Sequence, residues 1–387
     1  MNFSPAHLQR YKQIATLFWK YGRSDVMKQM AVDDTFDARE LNEAGPADQA
    51  TQVAADHLAD DLEAMGHTYV KLGQILAGRP DLLPDPYLKA LARLQDKVKP
   101  FPYEEVEKTI LTELGIRISK AFSVFGTFPI GAASLGQVHE AALRDGTPVV
   151  VKVQRPGIRS QIAEDFEVLS EIAGFLEERT EFGRRQRLTS ILAEFRTALQ
   201  QELNYELEAQ NLVAIARNLA EFERIQIPQP IPDYCSRSVL TMERVGGSKI
   251  TELGPLARQE LKGGELADEL LHAYLKQVLV DGLFHADPHP GNVFVTPEGR
   301  IGLIDFGMVG HVTPTMQDML LKVLLAVVDG KGDAAAEVLE HASEKTEQFN
   351  SAEFRSRIGQ MVATRQNQGL EQINVGRTLL EMTRRAQ

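Results

Sequence analysis

The stretch His285-Ala286-Asp287-Pro288-His289-Pro290-Gly291-Asn292, followed by Ile304-Asp305-Phe306-Gly307, constrains this chain more than any other part of its sequence. Pro288 and Pro290 remove backbone donors and disfavour helix in the residues before them, so the first segment is an extended loop. Between the two segments, Val293-Phe294-Val295 and Ile301-Gly302-Leu303-Ile304 flank a Pro297-Glu298-Gly299 turn, the pattern of a short hairpin. A polar loop, a hairpin and a second polar turn therefore succeed one another.

That order has a chemical use. Phosphoryl transfer on a kinase scaffold needs an aspartate at the attacking hydroxyl, an asparagine on Mg²⁺, and a second aspartate between Mg²⁺ and the phosphates. Asp287, Asn292 and Asp305 match these roles in order and spacing. A rival reading makes His285, Asp287 and His289 transition-metal ligands, but no third histidine or cysteine partner follows nearby. Upstream, Val149-Val150-Val151-Lys152-Val153 reads as a strand whose lysine could hold phosphates. Its candidate partners lie in Gln201-Glu202-Leu203-Asn204-Tyr205-Glu206-Leu207-Glu208-Ala209, read as one helix across 192–222. On one continuous helix Glu202 and Glu208 would sit about 120° apart, addressing two different lysines.

No Gly-x-Gly-x-x-Gly loop precedes Lys152. Ala132, Ala133, Ser134, Leu135, Gly136 and Gln137 stand in its place, and alanine methyl groups hinder the close approach to phosphate that glycine permits. An ordinary protein kinase is not built this way.

The alanine-rich loop, the strand of 149–157 and the His285–Asn292 loop together resemble the UbiB/AarF atypical kinases, which include coenzyme Q kinase-like ATPases. The resemblance runs from about residue 8 onward and includes the Lys-x-Gly-Gln motif, here Lys71-Leu72-Gly73-Gln74. It implies an α+β, two-lobed protein-kinase-like fold with a helical N-terminal extension. The expected parts are the extension at 1–115, an N-lobe with inserted helices at 116–246, and a helical C-lobe at 247–387. It further implies that Lys152, Glu208 and Asp287 are catalytic, and that Asn292 and Asp305 hold Mg²⁺. The 132–137 loop, Lys152, Glu243 and Val245 would bind ATP, while Lys71, Gln74 and Glu202 would regulate access, Lys71 reaching Glu202. The second acid of the family's Glu-x-Asp motif is Asn204 here, and Gly131 replaces the first alanine of the loop. The implied activity is that of a Mg–ATP-dependent kinase or ATPase supporting ubiquinone biosynthesis, with partner proteins of that pathway. A small-molecule phosphotransferase and a nucleotide-gated scaffold are the alternatives.

Composition narrows the partners. A net charge of -12 argues against nucleic acid, which needs a basic surface. The first 30 residues are locally basic, however, with Arg10, Lys12, Lys20, Arg23 and Lys28 against Asp25. Across 8–21 the residues Leu8, Tyr11, Ile14 and Phe18 recur at helical spacing beside Trp19. Such a helix either lies on an anionic membrane surface or packs on the body, packing being the weightier alternative. A second helix is expected across 47–77 after a Gly45-Pro46 loop, with shorter ones at 87–95 and 103–114. No run approaches the roughly 18 to 20 apolar residues of a membrane span, and one cysteine, Cys235, allows no internal disulfide. The expectation is cytoplasmic, with peripheral attachment to an inner membrane implied by resemblance. Relatives usually continue past the point matching Gln387.

Overall fold

A computed structural model describes residues 10–14, 16, 17, 20, 49–79, 82–94, 99–180, 183, 184, 187–254, 263–342 and 349–366. Leu8, Phe18, Trp19, the Gly45-Pro46 loop and residues 367–387 lie outside them. Residues 10–14 are helical, and Ile14 is buried. In chain order the helices α1 (Gln49–Met65), α2 (His67–Ala77), α3 (Asp85–Ala92), α4 (Tyr103–Leu114) and α5 (Ile118–Ala121) come first. Strands β1 (Phe122–Phe125), β2 (Gly131–Ala132), β3 (Gly136–Leu143) and β4 (Pro148–Gln154) are next. Then come α6 (Ile158–Arg179), α7 (Leu188–Glu202), α8 (Tyr205–Asn218), β5 (Ile225–Gln226), β6 (Val239–Glu243) and β7 (Ser248–Lys249). The remainder comprises α9 (Gly263–Lys276), β8 (Leu283–His285), β9 (Val293–Val295), β10 (Ile301–Leu303) and β11 (Val309–His311), then α10 (Pro314–Val328), α11 (Gly332–Ala342) and α12 (Ser351–Gln366).

The chain divides into two compact units. The first takes the described residues of 1–213, 228–245 and 305–308, and the second takes those of 214–227, 246–304 and 309–387.

In the first unit β1, β3, β4 and β6 form an antiparallel sheet, with β2 added to β3. Asp145-Gly146-Thr147 makes the β3–β4 turn, Leu143 N donating to Thr147 O, with Gly146 at φ 90°. Glycine adopts that positive φ without the penalty a Cβ would bring. On strand β4, Val149, Val151 and Val153 are buried on the face covered by Val106 and Ile110 of α4, and Lys152 points the other way. Helices α1, α2 and α3 build a separate cluster around Ala59, Tyr69, Tyr87 and Leu91.

Two expected helices are broken. The 47–77 helix stops at Gly66, whose φ of 107° no helix accommodates, so α1 and α2 are distinct. The 192–222 helix also divides, at Leu203-Asn204. There Asn204 Oδ1 accepts from Leu207 N, as a helix cap does, and Tyr205 N donates to Arg237 O. Glu202 and Glu208 thus belong to two helices, and their directions do not follow from one helical wheel.

In the second unit β9 and β10 form the expected hairpin, β5 pairs parallel to β10, and β7 pairs with β9. Strand β8 pairs with β11. Helices α10, α11 and α12 pack around Val323, Ala336, Leu339 and Ile358. No helix among the described residues is long and apolar enough to cross a membrane.

Candidate phosphate and metal site

Lys152 gathers the candidate residues carried by the first unit. From the face of β4 opposite the valines, its Nζ lies 2.9 Å from Glu208 Oε2 and 3.0 Å from Oε1, and 3.4 Å from Asp305 Oδ1. It also stands 4.9 Å from the centroid of the Tyr205 ring, a cation–π contact. Burial would lower the lysine's pKa, but the Asp305 and Glu208 carboxylates hold it well above the ordinary lysine value. Glu208, 1% exposed, is pushed up to about 7 by burial, with Lys152 opposing. The lysine is therefore a fixed cation beside a carboxyl whose pKa burial raises.

Asp305 has φ 63°, a left-handed backbone that few residues other than glycine adopt and that asparagine and aspartate tolerate best. The next residue, Phe306, anchors the turn: it is fully buried, and its carbonyl accepts from Asn211 Nδ2 at 2.9 Å. Asn211 is itself buried on α8, one turn beyond Glu208. One helix face thus binds both the strand lysine and the segment carrying Asp305.

The alanine-rich loop is a tight hairpin. Gly131 and Ala132 pair with Val138 and Gln137, and Ala133 N donates to Gly136 O at 2.8 Å. A Cβ on Gly136 would lie 2.6 Å from both Tyr205 Oη and Val153 O, so only glycine fits. Ser134, Leu135 and Gln137 are buried. The Gln137 amide is committed to the body, accepting from Phe101 N and donating to Phe101 O. The hydroxyls of Ser134 and Tyr205 are buried without a hydrogen-bond partner among the described residues. Glu243 ends β6, its Oε2 accepting from Gln229 N, and Val245 lies two residues beyond it.

Lys71, Gly73 and Gln74 of the Lys71-Leu72-Gly73-Gln74 motif have distinct contacts. Lys71 Nζ lies 2.6 Å from Glu202 Oε1. Burial raises the Glu202 pKa, while Lys71 counters it. Gly73 lets α2 approach Leu62 of α1, Leu91 of α3 and Leu94 just beyond α3: a Cβ there would lie 2.3 Å from Leu94 Cδ1. Gln74 Nε2 donates to Leu94 O at 3.1 Å.

The second unit carries the His285–Asn292 loop. His285 is buried, its Nδ1 accepts from Asp287 N at 3.1 Å, and its N–H donates to Gln277 Oε1. The Tyr274 hydroxyl donates to His285 O; burial, then the Asp287 charge, push that phenol up to about 12. His289 Nδ1 accepts from Gly291 N, and Asn292 N donates to His289 O at 2.8 Å. Asn292 Nδ2 reaches Asp287 O at 3.5 Å, leaving its amide oxygen as the atom suited to a hard cation. Both histidines thus use Nδ1 to stabilise the loop. The transition-metal reading finds no support, because no group of three or more His, Cys, Asp or Glu able to hold a metal occurs among the described residues. Oxygen donors such as Asn292 and Asp305 instead suit Mg²⁺, and a lysine held charged suits phosphate.

Residues 93–339 match the ABC1 atypical kinase-like domain. The chain belongs to this family. Its fold is therefore α+β and kinase-like. The protein named Probable protein kinase UbiB of Marinobacter nauticus is 39% identical over 70% of this chain and 50% of its own length. ACTIVITY OF BC1 COMPLEX KINASE 3 of Arabidopsis thaliana is 40% identical over 70% of this chain and 38% of its own. An uncharacterized protein of Synechocystis is 33% identical over 84% of this chain and 81% of its own. Apart from that last protein, the chain spans about half or less of these curated relatives. Among solved structures, the erythromycin complex of Rv3197 from Mycobacterium tuberculosis is similar, with a TM-score of 0.56 and 27% identity over 85% of this chain and 82% of that one.

Tyr205 and Asn211 were not singled out by sequence reasoning. Their signal was spacing: Tyr205, Glu208 and Asn211 recur every third residue on α8, which puts them along one face.

Proposed function

We propose that this chain binds Mg–ATP and acts as an atypical kinase or ATPase supporting isoprenoid quinone biosynthesis. The observation that carries the reading is the Lys152 ammonium held at once by Glu208 and by Asp305. In this reading Lys152, ordered by Glu208, binds the phosphates, and Asn292 and Asp305 supply oxygen ligands to Mg²⁺. Bound Mg–ATP would contribute the transferable phosphoryl group and the charge that neutralises it. Asp287 orients the attacking hydroxyl, either water or a small substrate. The 132–137 loop and the end of β6, with Glu243 and Val245, form the rest of the nucleotide site. Lys71, Gln74 and Glu202 restrict what reaches it, which favours a small acceptor over a protein. The quinone pathway is suggested by the UbiB relative, and the basic N-terminal residues suit an anionic lipid surface at the inner face of a membrane.

Calorimetric titration with Mg–ATP tests the nucleotide reading. Wild type should bind, and Asp305→Asn should lose about tenfold or more in Mg²⁺-dependent affinity, since about 1.4 kcal/mol is a factor of ten. Equal affinity in both would refute the reading. Quinone profiling of a deletion strain complemented with wild type or Asp287→Asn separates the remaining possibilities. Rescue by Asp287→Asn would point to a nucleotide-gated scaffold rather than an enzyme.

A further inference from the structure

At the end of the alanine-rich loop, the side chain of Gln137 turns away from Lys152. Across β3 and β4, Gln137 stands opposite Val153, Val138 opposite Lys152 and His139 opposite Val151. Directly opposed residues share a face of a sheet, so Gln137 and His139 lie with the valines on the face covered by α4. Both side chains are buried.

Their hydrogen bonds admit one protonation state. His139 Nε2 lies 2.9 Å from Gln137 Nε2, and His139 Nδ1 lies 2.7 Å from Gly126 O. Gln137 Oε1 is taken by Phe101 N, which only donates, so the amide nitrogen is what faces the imidazole. An amide NH2 only donates as well, so His139 Nε2 accepts and carries no proton. The ring proton is therefore on Nδ1 and is donated to the Gly126 carbonyl. Burial lowers the His139 pKa, with the Gly126 bond opposing, in agreement with a neutral ring. Around it, Phe125 of β1 stacks at 5.3 Å between centroids, and Tyr103 of α4 meets it edge-on at 6.3 Å. Burial, then the Glu107 charge, raise the Tyr103 pKa, so that phenol stays neutral. Glu140, next along β3, projects from the other face and pairs with Arg244 at 2.8 Å.

We infer that His139 is a positioning residue for the alanine-rich loop: its neutral imidazole binds Gly126 ahead of the loop and Gln137 at its end, fixing the backbone between them in the shape that receives a nucleotide. This role presupposes the nucleotide reading of the loop. The same contacts extend to Phe101, ahead of α4. Gln137 Nε2 donates to Phe101 O at 3.3 Å, the Arg155 guanidinium lies 5.2 Å from the Phe101 ring centroid, and Arg155 N donates to Leu135 O inside the loop. A proton on His139 Nε2 would set one donor against another. Turning the Gln137 amide over would relieve that contact only by opposing like groups at both Phe101 N and Phe101 O. Either way, hydrogen bonds are lost where the loop ends.

Two measurements on the full chain test this. In the first, nitrogen NMR of imidazole-labelled protein reads the tautomer, the His139 signals being those missing from His139→Phe. At neutral pH they should show a protonated Nδ1 and a bare Nε2, with a second proton taken up only below the ordinary histidine value of 6.5. A proton on Nε2 at neutral pH would overturn the arrangement and the role with it. In the second, calorimetric titration measures Mg–ATP affinity. His139→Phe keeps the ring stacking and loses both polar contacts, so at neutral pH it should bind about tenfold or more weakly than wild type. His139→Gln retains an acceptor for Gln137 and should lose a smaller factor; it also supplies the comparison if circular dichroism shows His139→Phe unfolded. As pH falls through the His139 midpoint, the gap between wild type and variant should close, since wild type alone has these bonds to lose. A ring that merely filled space would leave the gap independent of pH. Equal affinities at neutral pH, or a constant gap, would overturn the positioning role and leave the arrangement standing. Failure of wild type to bind Mg–ATP would overturn the role together with the nucleotide reading, while the tautomer measurement still decides the arrangement.

Discussion

Asp305 illustrates how one residue depends on neighbours that do no chemistry. Its left-handed backbone carries strain of about 1 kcal/mol or more, and such geometry persists only where the surroundings over-determine it. Here the surroundings are Phe306, buried in the first unit, and Asn211, whose amide holds the Phe306 carbonyl. Asn211→Ala removes the Asn211 donor to that carbonyl, and loss of a buried hydrogen bond costs about 1 to 3 kcal/mol. Asn211→Asp fails similarly, because an ionised carboxylate cannot donate. Thermal unfolding should show the loss in both variants. Mg²⁺-dependent nucleotide affinity should fall in both as Asp305 loses its fixed direction, with nucleotide affinity in the absence of metal less affected. Equal losses with and without metal would mean that Asn211 supports the fold and not the aspartate.

At the scale of elements, the helical extension works through close approach. Gly73 allows α2 to meet Leu62, Leu91 and Leu94, and Gln74 ties the same helix to Leu94 O. Gly73→Ala should destabilise by about 1 to 3 kcal/mol, as overpacking does. Leu94→Ala alone opens a cavity, yet together with Gly73→Ala it makes room for the added methyl. The double variant should therefore unfold at a higher temperature than the sum of the single losses implies, a coupling that a double-mutant cycle measures. Strict additivity would place the clash elsewhere. These same helices mark where sequence reading stops. The β3–β4 turn and the β9–β10 hairpin were legible because glycine, proline and alternating valines act locally. The breaks at Gly66 and at Leu203-Asn204 were not, since continuous helical periodicity runs through both. The second break is fixed by Arg237, a residue distant in sequence that takes the Tyr205 N–H.

Across the whole molecule, the candidate site residues concentrate in contiguous motifs, so Lys152, Asp287, Asn292 and Asp305 could be nominated from sequence alone. Burial cannot be read that way, and burial sets the pH response. Asp165, Glu202 and Glu208 all lie in the first unit, and in each burial is the largest cause of a raised pKa. A carboxyl with a raised folded-state pKa keeps its proton after the unfolded chain has lost its own. Its stabilising contribution is complete below the ordinary glutamate value of 4.5 and is lost as pH rises through the folded value, about 7 for Glu208. The Lys152 shift also goes upward, but its window lies above 10.5 and leaves this range untouched. Wild type and Glu208→Gln differ in one ionisable group, so the difference between their melting temperatures reports Glu208 together with its coupling to Lys152, Asp305 and Glu202. Between pH 4.5 and 7 that difference should move steadily in favour of the glutamine variant, because wild type alone must ionise a buried carboxyl. Parallel melting curves across this range would mean that Lys152 keeps Glu208 ionised throughout, and that the pair is a fixed ion pair rather than a proton-binding one.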